Sequence, residues 1–341
     1  MHRRDFLRSS IGTLVASVTA PVLRAAEMPH SPRPRLVLYV LGQFAEATPA
    51  EMQNVVETIG ASTFNVLILS FLQASVARGK LTLSYNGNAF PLEAEVPAQL
   101  ARLRSGFGEK KRTLLSIGGW KHQPTFDAIR SLGVPAFVRQ LTEQVIVPLG
   151  LDGIDIDLEP QKGGLDHWMA VHFEHGKTIV DITNEYKKMH PTHLVTHAPI
   201  SAVAAEIYAK PTRIPGLNGG LLAATRTKHG NNIDWLNVQF YEGGRVDGGD
   251  IAGYYRDSLA APLMRLRTQT GITQPLHFLT PLFEPEAKQP LAFCQQTIAD
   301  IDHRCADLNA GSVNGVALWE YRQVATSIGD WSQGFKTALH G

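Results

Sequence analysis

The chain reads as an α/β protein, a single-domain (β/α)8 or TIM barrel, and three observations predict it. Strand-like apolar runs alternate with helix-like segments from Arg35 onward, and the alternation occurs eight times. That is the mark of parallel βαβ units. The 341 residues are 44% hydrophobic, enough for one large core, and single α/β barrels reach this length. The most acidic of the strand-like runs ends at Glu159, immediately before Pro160. In this fold the carboxyl ends of strands carry the chemistry.

The elements follow in order. Residues 36–41 form a continuous apolar run, a first strand. Thr48-Pro49-Ala50-Glu51 is a capping box with proline at the first helical position. Residues 64–72 read as strand two, and 81–85 before Asn86-Gly87 as part of a small hairpin. Helix is expected at 97–104, strand three at 113–119, and helix again at 135–147. After the acidic strand come a helix at 168–189, then strands at 194–200, 235–241, 275–283 and 313–319. Helices fit at 254–270, 291–308 and 323–339.

The amino terminus is set apart from the fold. Arg3-Arg4-Asp5-Phe6-Leu7-Arg8 resembles the twin-arginine export motif, and the apolar run at 11–18 is too short for a membrane span. The expected division is a signal peptide at 1–26, a linker at 27–34 and a catalytic barrel at 35–341, with a periplasmic or extracellular destination. Cys294 and Cys305 fall in one predicted helix. Eleven residues span about 16 Å of helix, whereas a disulfide needs Cα atoms within about 7 Å. Both should be free thiols. The net charge of +1 gives no electrostatic case for nucleic acid or an anionic membrane.

Leu151-Asp152-Gly153-Ile154-Asp155-Ile156-Asp157-Leu158-Glu159-Pro160 organises the rest. Alternation along a strand puts Asp155, Asp157 and Glu159 on one face and the aliphatics on the other. Three neighbouring carboxylates repel, which raises at least one pKa and can keep an acid protonated for general acid work. A calcium loop fits poorly, because no glycine follows the third acid and bulky aliphatics fill the gaps. Asp152 is out of phase with the inward face, so a structural role is expected for it.

The spacing Asp152-x-x-Asp155-x-Asp157-x-Glu159 resembles the signature of family 18 glycoside hydrolases, which include chitinases and endo-β-N-acetylglucosaminidases. Other segments share the resemblance. Ser116-Ile117-Gly118-Gly119-Trp120 is similar to the family's S-x-G-G motif, with glycines that let a sugar or the acidic strand approach closely. Gln239-Phe240-Tyr241 is similar to a motif of the plant-type and related bacterial chitinases, with Glu242 in place of the usual asparagine. Thr196-His197-Ala198-Pro199-Ile200 is similar to strand five of that group. Gly315-Val316-Ala317-Leu318-Trp319 is similar to the last strand.

The resemblance implies a chitinase cleaving β-linkages at N-acetylglucosamine, on chitin or chitooligosaccharides, by a retaining, substrate-assisted route. Glu159 would be general acid and then base, Asp157 would orient the substrate's own acetamido group, and Asp155 would hold Asp157. Tyr241 would bind the acetamido group, and Trp319 would form the floor under the reactive sugar. Gln239, Gly118, Gly119 and Trp120 would line the substrate. No cofactor or metal is called for, and a monomer is expected. An endo-β-N-acetylglucosaminidase would run the same chemistry on glycoprotein glycans. A chitinase-like lectin would bind without cleaving, but lectin forms usually lack the acid, and Glu159 is intact. His167, His172, Glu174 and His175 invite a metal reading. With no third ligand evident from another segment, they read as solvated helix residues.

Overall fold

The computed structural model describes residues 34–42, 48–90, 98, 102, 111–160, 163–210, 213–217, 219–227, 230–241, 249–270, 279–285, 289–308 and 313–339. The expected signal peptide and the expected linker up to residue 33, the body of the helix expected at 97–104, and Glu242 lie outside the described residues.

Eight strands close a parallel barrel. They are β1 (Arg35–Leu41), β2 (Val66–Ala77), β3 (Arg112–Trp120), β4 (Gly153–Glu159), β5 (Leu194–His197), β6 (Trp235–Gln239), β7 (Leu279–Phe283) and β8 (Gly315–Leu318). Each pairs with its successor, and β1 pairs with both β2 and β8, so the eight strands close on themselves. The fold is the expected single-domain (β/α)8 barrel.

Strand alternation divides the core into two shells. In β1, Leu36, Leu38 and Val40 join the large apolar layer beneath the helices, while Val37 and Tyr39 join a smaller cluster in the barrel lumen. Ile154, Ile156 and Leu158 of β4 join the outer layer too, so the three acids between and after them face the lumen. Buried on both faces, the strands show near-continuous apolar runs.

Helix α1 (Pro49–Ala61) starts with the anticipated capping box: Glu51 N–H donates to Thr48 Oγ1 at 3.3 Å, and Thr48 N–H donates to the Glu51 carboxylate at 2.8 Å. Thr48→Ala is therefore expected to cost about 1 kcal/mol, read as a lower denaturant midpoint with an unchanged slope.

The elements depart from expectation in explicable places. The helix predicted at 135–147 is preceded by another, α2 (Gln123–Leu132), and the two meet at Gly133, whose φ of +91° suits glycine. The second, α3 (Val134–Leu141), runs on through a π-helical turn at Thr142–Ile146. β2 overruns its predicted end because it pairs antiparallel with Lys80–Tyr85, through a turn at Arg78-Gly79 with φ of +53° and +71°. β5 stops at His197 rather than 200: Pro199 has no N–H for the ladder, and Ile200 touches Gln239 only through an isolated bridge. The helix expected at 323–339 is two, Tyr321–Val324 and Ile328–Ala338. A small ribbon, Arg226–Thr227 with Gly230–Asn231, was not expected. Cys294 and Cys305 are free and buried.

The reading of the helical histidines as solvated is wrong for two of the three. Helix α4 (Leu165–Met189) buries Trp168, Val171, His172, His175, Ile179, Ile182 and Tyr186 at helical spacing against the barrel, and His172 and His175 fall on that stripe. His172 Nδ1–H donates to the Trp168 carbonyl at 2.8 Å. His167 is exposed.

Candidate active site

The site is built on β4. Asp155 and Asp157 are 0% and 2% exposed, and Glu159 is half-buried at the carboxyl mouth. Asp155 lies deepest. Its carboxylate accepts from Ser116 Oγ at 2.8 Å, Thr196 Oγ1 at 2.5 Å, Tyr39 Oη at 3.3 Å and Asn237 Nδ2 at 3.5 Å. Those donors come from β3, β5, β1 and β6. Asn237 is itself oriented, donating to Tyr39 Oη at 3.0 Å and accepting from Trp235 Nε1 at 2.9 Å.

Burial pushes the Asp155 carboxyl up to about 6 from 3.8, with its four hydrogen bonds pulling the other way. Asp157 is pushed well above the ordinary range, first by burial and then by the negative charges of Glu159 and Asp155, and its hydrogen bond with Glu159 acts in the same sense. Asp157 and Glu159 thus form an interacting pair in which the charge of Glu159 favours the protonated form of Asp157. The Gln239 amide ties the pair together: Nε2 donates to Asp157 Oδ1 at 3.2 Å, to Glu159 Oε1 at 3.4 Å and to the Ala198 carbonyl at 2.9 Å.

The raised value for Asp155 has a stability consequence. A carboxyl whose folded pKa exceeds its unfolded one contributes stability below pH 3.8 that is lost as pH rises through about 6. Set against Asp155→Asn, which cancels the titration of groups that Asp155 does not perturb, the wild type should lose roughly 3 kcal/mol on going from pH 3.5 to pH 7. Urea midpoints of both proteins across that range measure it, and a pH-independent difference contradicts the assignment.

β3 lies alongside in register, Gly118 opposite Asp157 and Trp120 opposite Glu159. A Cβ on Gly118 would stand 2.1 Å from the Asp157 carbonyl oxygen, and one on Gly119 would enter the Phe71 ring at 2.5 Å. Both glycines have positive φ, +111° and +88°. Phe71 stacks on Trp319 with centroids 5.5 Å apart and planes 27° from parallel, while Tyr39 meets the same indole edge-on at 5.6 Å. Trp319, half-buried, is held in the lumen cluster beside Tyr241, which is 8% exposed. Trp120 is 44% exposed at the mouth and packs against Trp168 at 6.2 Å.

A lumen with three aligned carboxyls, a shared amide and an indole wall invites comparison with known glycosidases. The profile of "Glycosyl hydrolases family 18" matches residues 35–296. This chain belongs to glycoside hydrolase family 18.

Solved structures share the fold at low identity. A family 18 chitinase from Pseudoalteromonas aurantia superposes with a TM-score of 0.62 at 17% identity, covering 89% of this chain and 100% of that one. A fungal endo-β-N-acetylglucosaminidase of family 18 gives 0.57 at 19%, covering 90% and 98%. The family 18 chitinase of Cycas revoluta in complex with (GlcNAc)4 gives 0.51 at 14%, covering 89% and 99%. Among curated proteins, none matches.

Most residues singled out in this family 18 sequence are together at the carboxyl end of the lumen. Asp152 is elsewhere: at the start of β4 it accepts from the Thr113 N–H at 2.9 Å and from Arg112 Nη1 at 3.2 Å. Two site residues escaped the sequence reading. Tyr39 carries the single polar tip in an otherwise apolar run, which was a usable signal. Phe71 offered none, because its role as backing for Trp319 depends on strands far apart in sequence.

Proposed function

We propose that this family 18 protein hydrolyses β-linkages at N-acetylglucosamine, on chitin or chitooligosaccharides, with retention of anomeric configuration and with the substrate's acetamido group as nucleophile. The observation that carries the reading is the Asp157–Glu159 pair on one strand face, bridged by the Gln239 amide. Neighbouring acids on one face have Cα atoms about 7 Å apart and project the same way. They cannot flank a sugar from opposite sides as two-carboxylate mechanisms require, and this family is among the substrate-assisted exceptions.

On this reading the roles are as follows. In the free protein burial and the charges of Glu159 and Asp155 favour the protonated form of Asp157. When Asp157 turns to accept the acetamido N–H, its proton passes to Glu159, which then protonates the departing glycosidic oxygen. The acetamido carbonyl attacks the anomeric carbon, giving an oxazolinium ion and freeing the leaving sugar. Glu159, now a carboxylate, takes a proton from water as that water opens the ring. Tyr241 holds the acetamido group, and Trp319, backed by Phe71, offers a flat apolar face to the pyranose.

The test is product analysis on chito-oligomers, the matching glucose oligomers and a high-mannose glycoprotein. Chito-oligomers should be cleaved with retention and glucose oligomers left intact. An inverted product, or equal cleavage of both oligomers, would falsify the mechanism. Cleavage confined to the glycoprotein would assign the same chemistry to an endo-β-N-acetylglucosaminidase.

A further inference from the structure

A second cluster lies away from the acidic strand, where α2 meets α4. Asp127, Glu174 and His175 bring one ligand atom each to within 4.8 Å of one another. His175 is 0% exposed, and neither ring nitrogen has a hydrogen-bond partner. A buried imidazole with both nitrogens unmet is costly and asks for a ligand. Its Nε2 points at Asp127 Oδ1 from 3.6 Å, too far for a hydrogen bond. The two carboxylates are about half exposed, so an ion can reach the site from solvent.

A cation already competes there. Arg130 donates through Nη2 to Asp127 Oδ1 at 3.0 Å and through Nη1 to Glu174 Oε1 at 2.9 Å. Two carboxylates against one guanidinium leave one negative charge uncompensated beside the imidazole. Arg130 is a donor only, cannot accept from the His175 N–H, and spends these two bonds on the carboxylates, whereas a metal ion takes the imidazole lone pair directly. Zinc bonds of about 2.0–2.2 Å in a tetrahedron set ligands about 3.4 Å apart, so modest side-chain rotation closes the set.

We propose that Asp127, Glu174 and His175 form a binding site for a divalent transition-metal ion, with zinc the best match, on the outer wall of the barrel. The His and carboxylate donors suit zinc, and the one tetrahedral position left by three ligands would be filled by water. The ion displaces Arg130 from the carboxylates and staples α2 to α4. The site is separate from the Asp157–Glu159 pair, so it acts on stability and not on turnover.

The experiment is calorimetric titration of zinc into chelator-stripped protein near neutral pH, with thermal melts in parallel. Wild type should take one equivalent and melt at higher temperature with zinc. Asp127→Asn, at a half-exposed position that tolerates change, should weaken binding by more than about tenfold, and so should His175→Gln if it folds. Arg130→Gln should bind more tightly, since the competing cation is gone. Absence of zinc binding in both wild type and Arg130→Gln overturns the proposal. Binding undiminished in Asp127→Asn also overturns it, because the ion then sits on other imidazoles.

Discussion

Replacing Glu159 with glutamine should lower turnover of an unactivated chito-oligomer by at least about 10²-fold, the low end of what a general acid contributes. The amide keeps the shape and can still meet Gln239 and Asp157, but it has no proton to give the departing oxygen. Binding should survive, because Trp319, Tyr241 and the lumen wall are untouched. Calorimetry on the variant and initial rates on both proteins separate the two effects. Retained turnover removes Glu159 from the mechanism. A wild type that binds oligomer but never cleaves it points to a lectin instead.

Gly118→Ala should be among the most damaging single methyl groups in the barrel. The added Cβ would sit 2.1 Å from the Asp157 carbonyl oxygen and 2.9 Å from Phe126 Cε2. The first of these is backbone in a paired strand, so relief requires β3 and β4 to part. Strain at φ +111° adds to the overlap. Strained backbone costs about 1–3 kcal/mol, and overpacking costs about 1–3 kcal/mol more. Because the displaced carbonyl belongs to Asp157, turnover should fall together with the melting temperature. Gly79→Ala is the control: its φ is +71°, but nothing lies within 4 Å of the new methyl. If the two variants melt alike, conformational strain alone accounts for Gly118 and the close approach of β3 to β4 contributes nothing.

The barrel was legible because strands buried on both faces advertise themselves as apolar runs, and because turn residues punctuate them. Where local detail overrode the pattern, the sequence reading slipped: Pro199 cut β5 short, and the helix expected at 323–339 is two. The acidic strand was legible as a face, since a period of two is fixed by backbone geometry. Its partners were not all visible. Ser116, Thr196 and Asn237 stood in noticed motifs, but nothing local says that all three, with Tyr39, meet one carboxylate. The histidines failed for a related reason. Which side of α4 faces the barrel depends on what packs there, and Asp127, the third group beside His175 and Glu174, comes from another helix.

The four-way anchoring of Asp155 bears on how this protein can be altered. Its donors sit on strands spread from Tyr39 to Asn237, so the position of Asp155 is set by the rigid staves of the barrel and not by the loops at its rim. Rim loops can then be exchanged to change which sugars are accepted without retuning the reacting groups. The converse is a liability for engineering. Substitutions at Ser116, Thr196, Tyr39 and Asn237 share one acceptor, so their effects will not add, and a library that varies them independently will contain few working combinations.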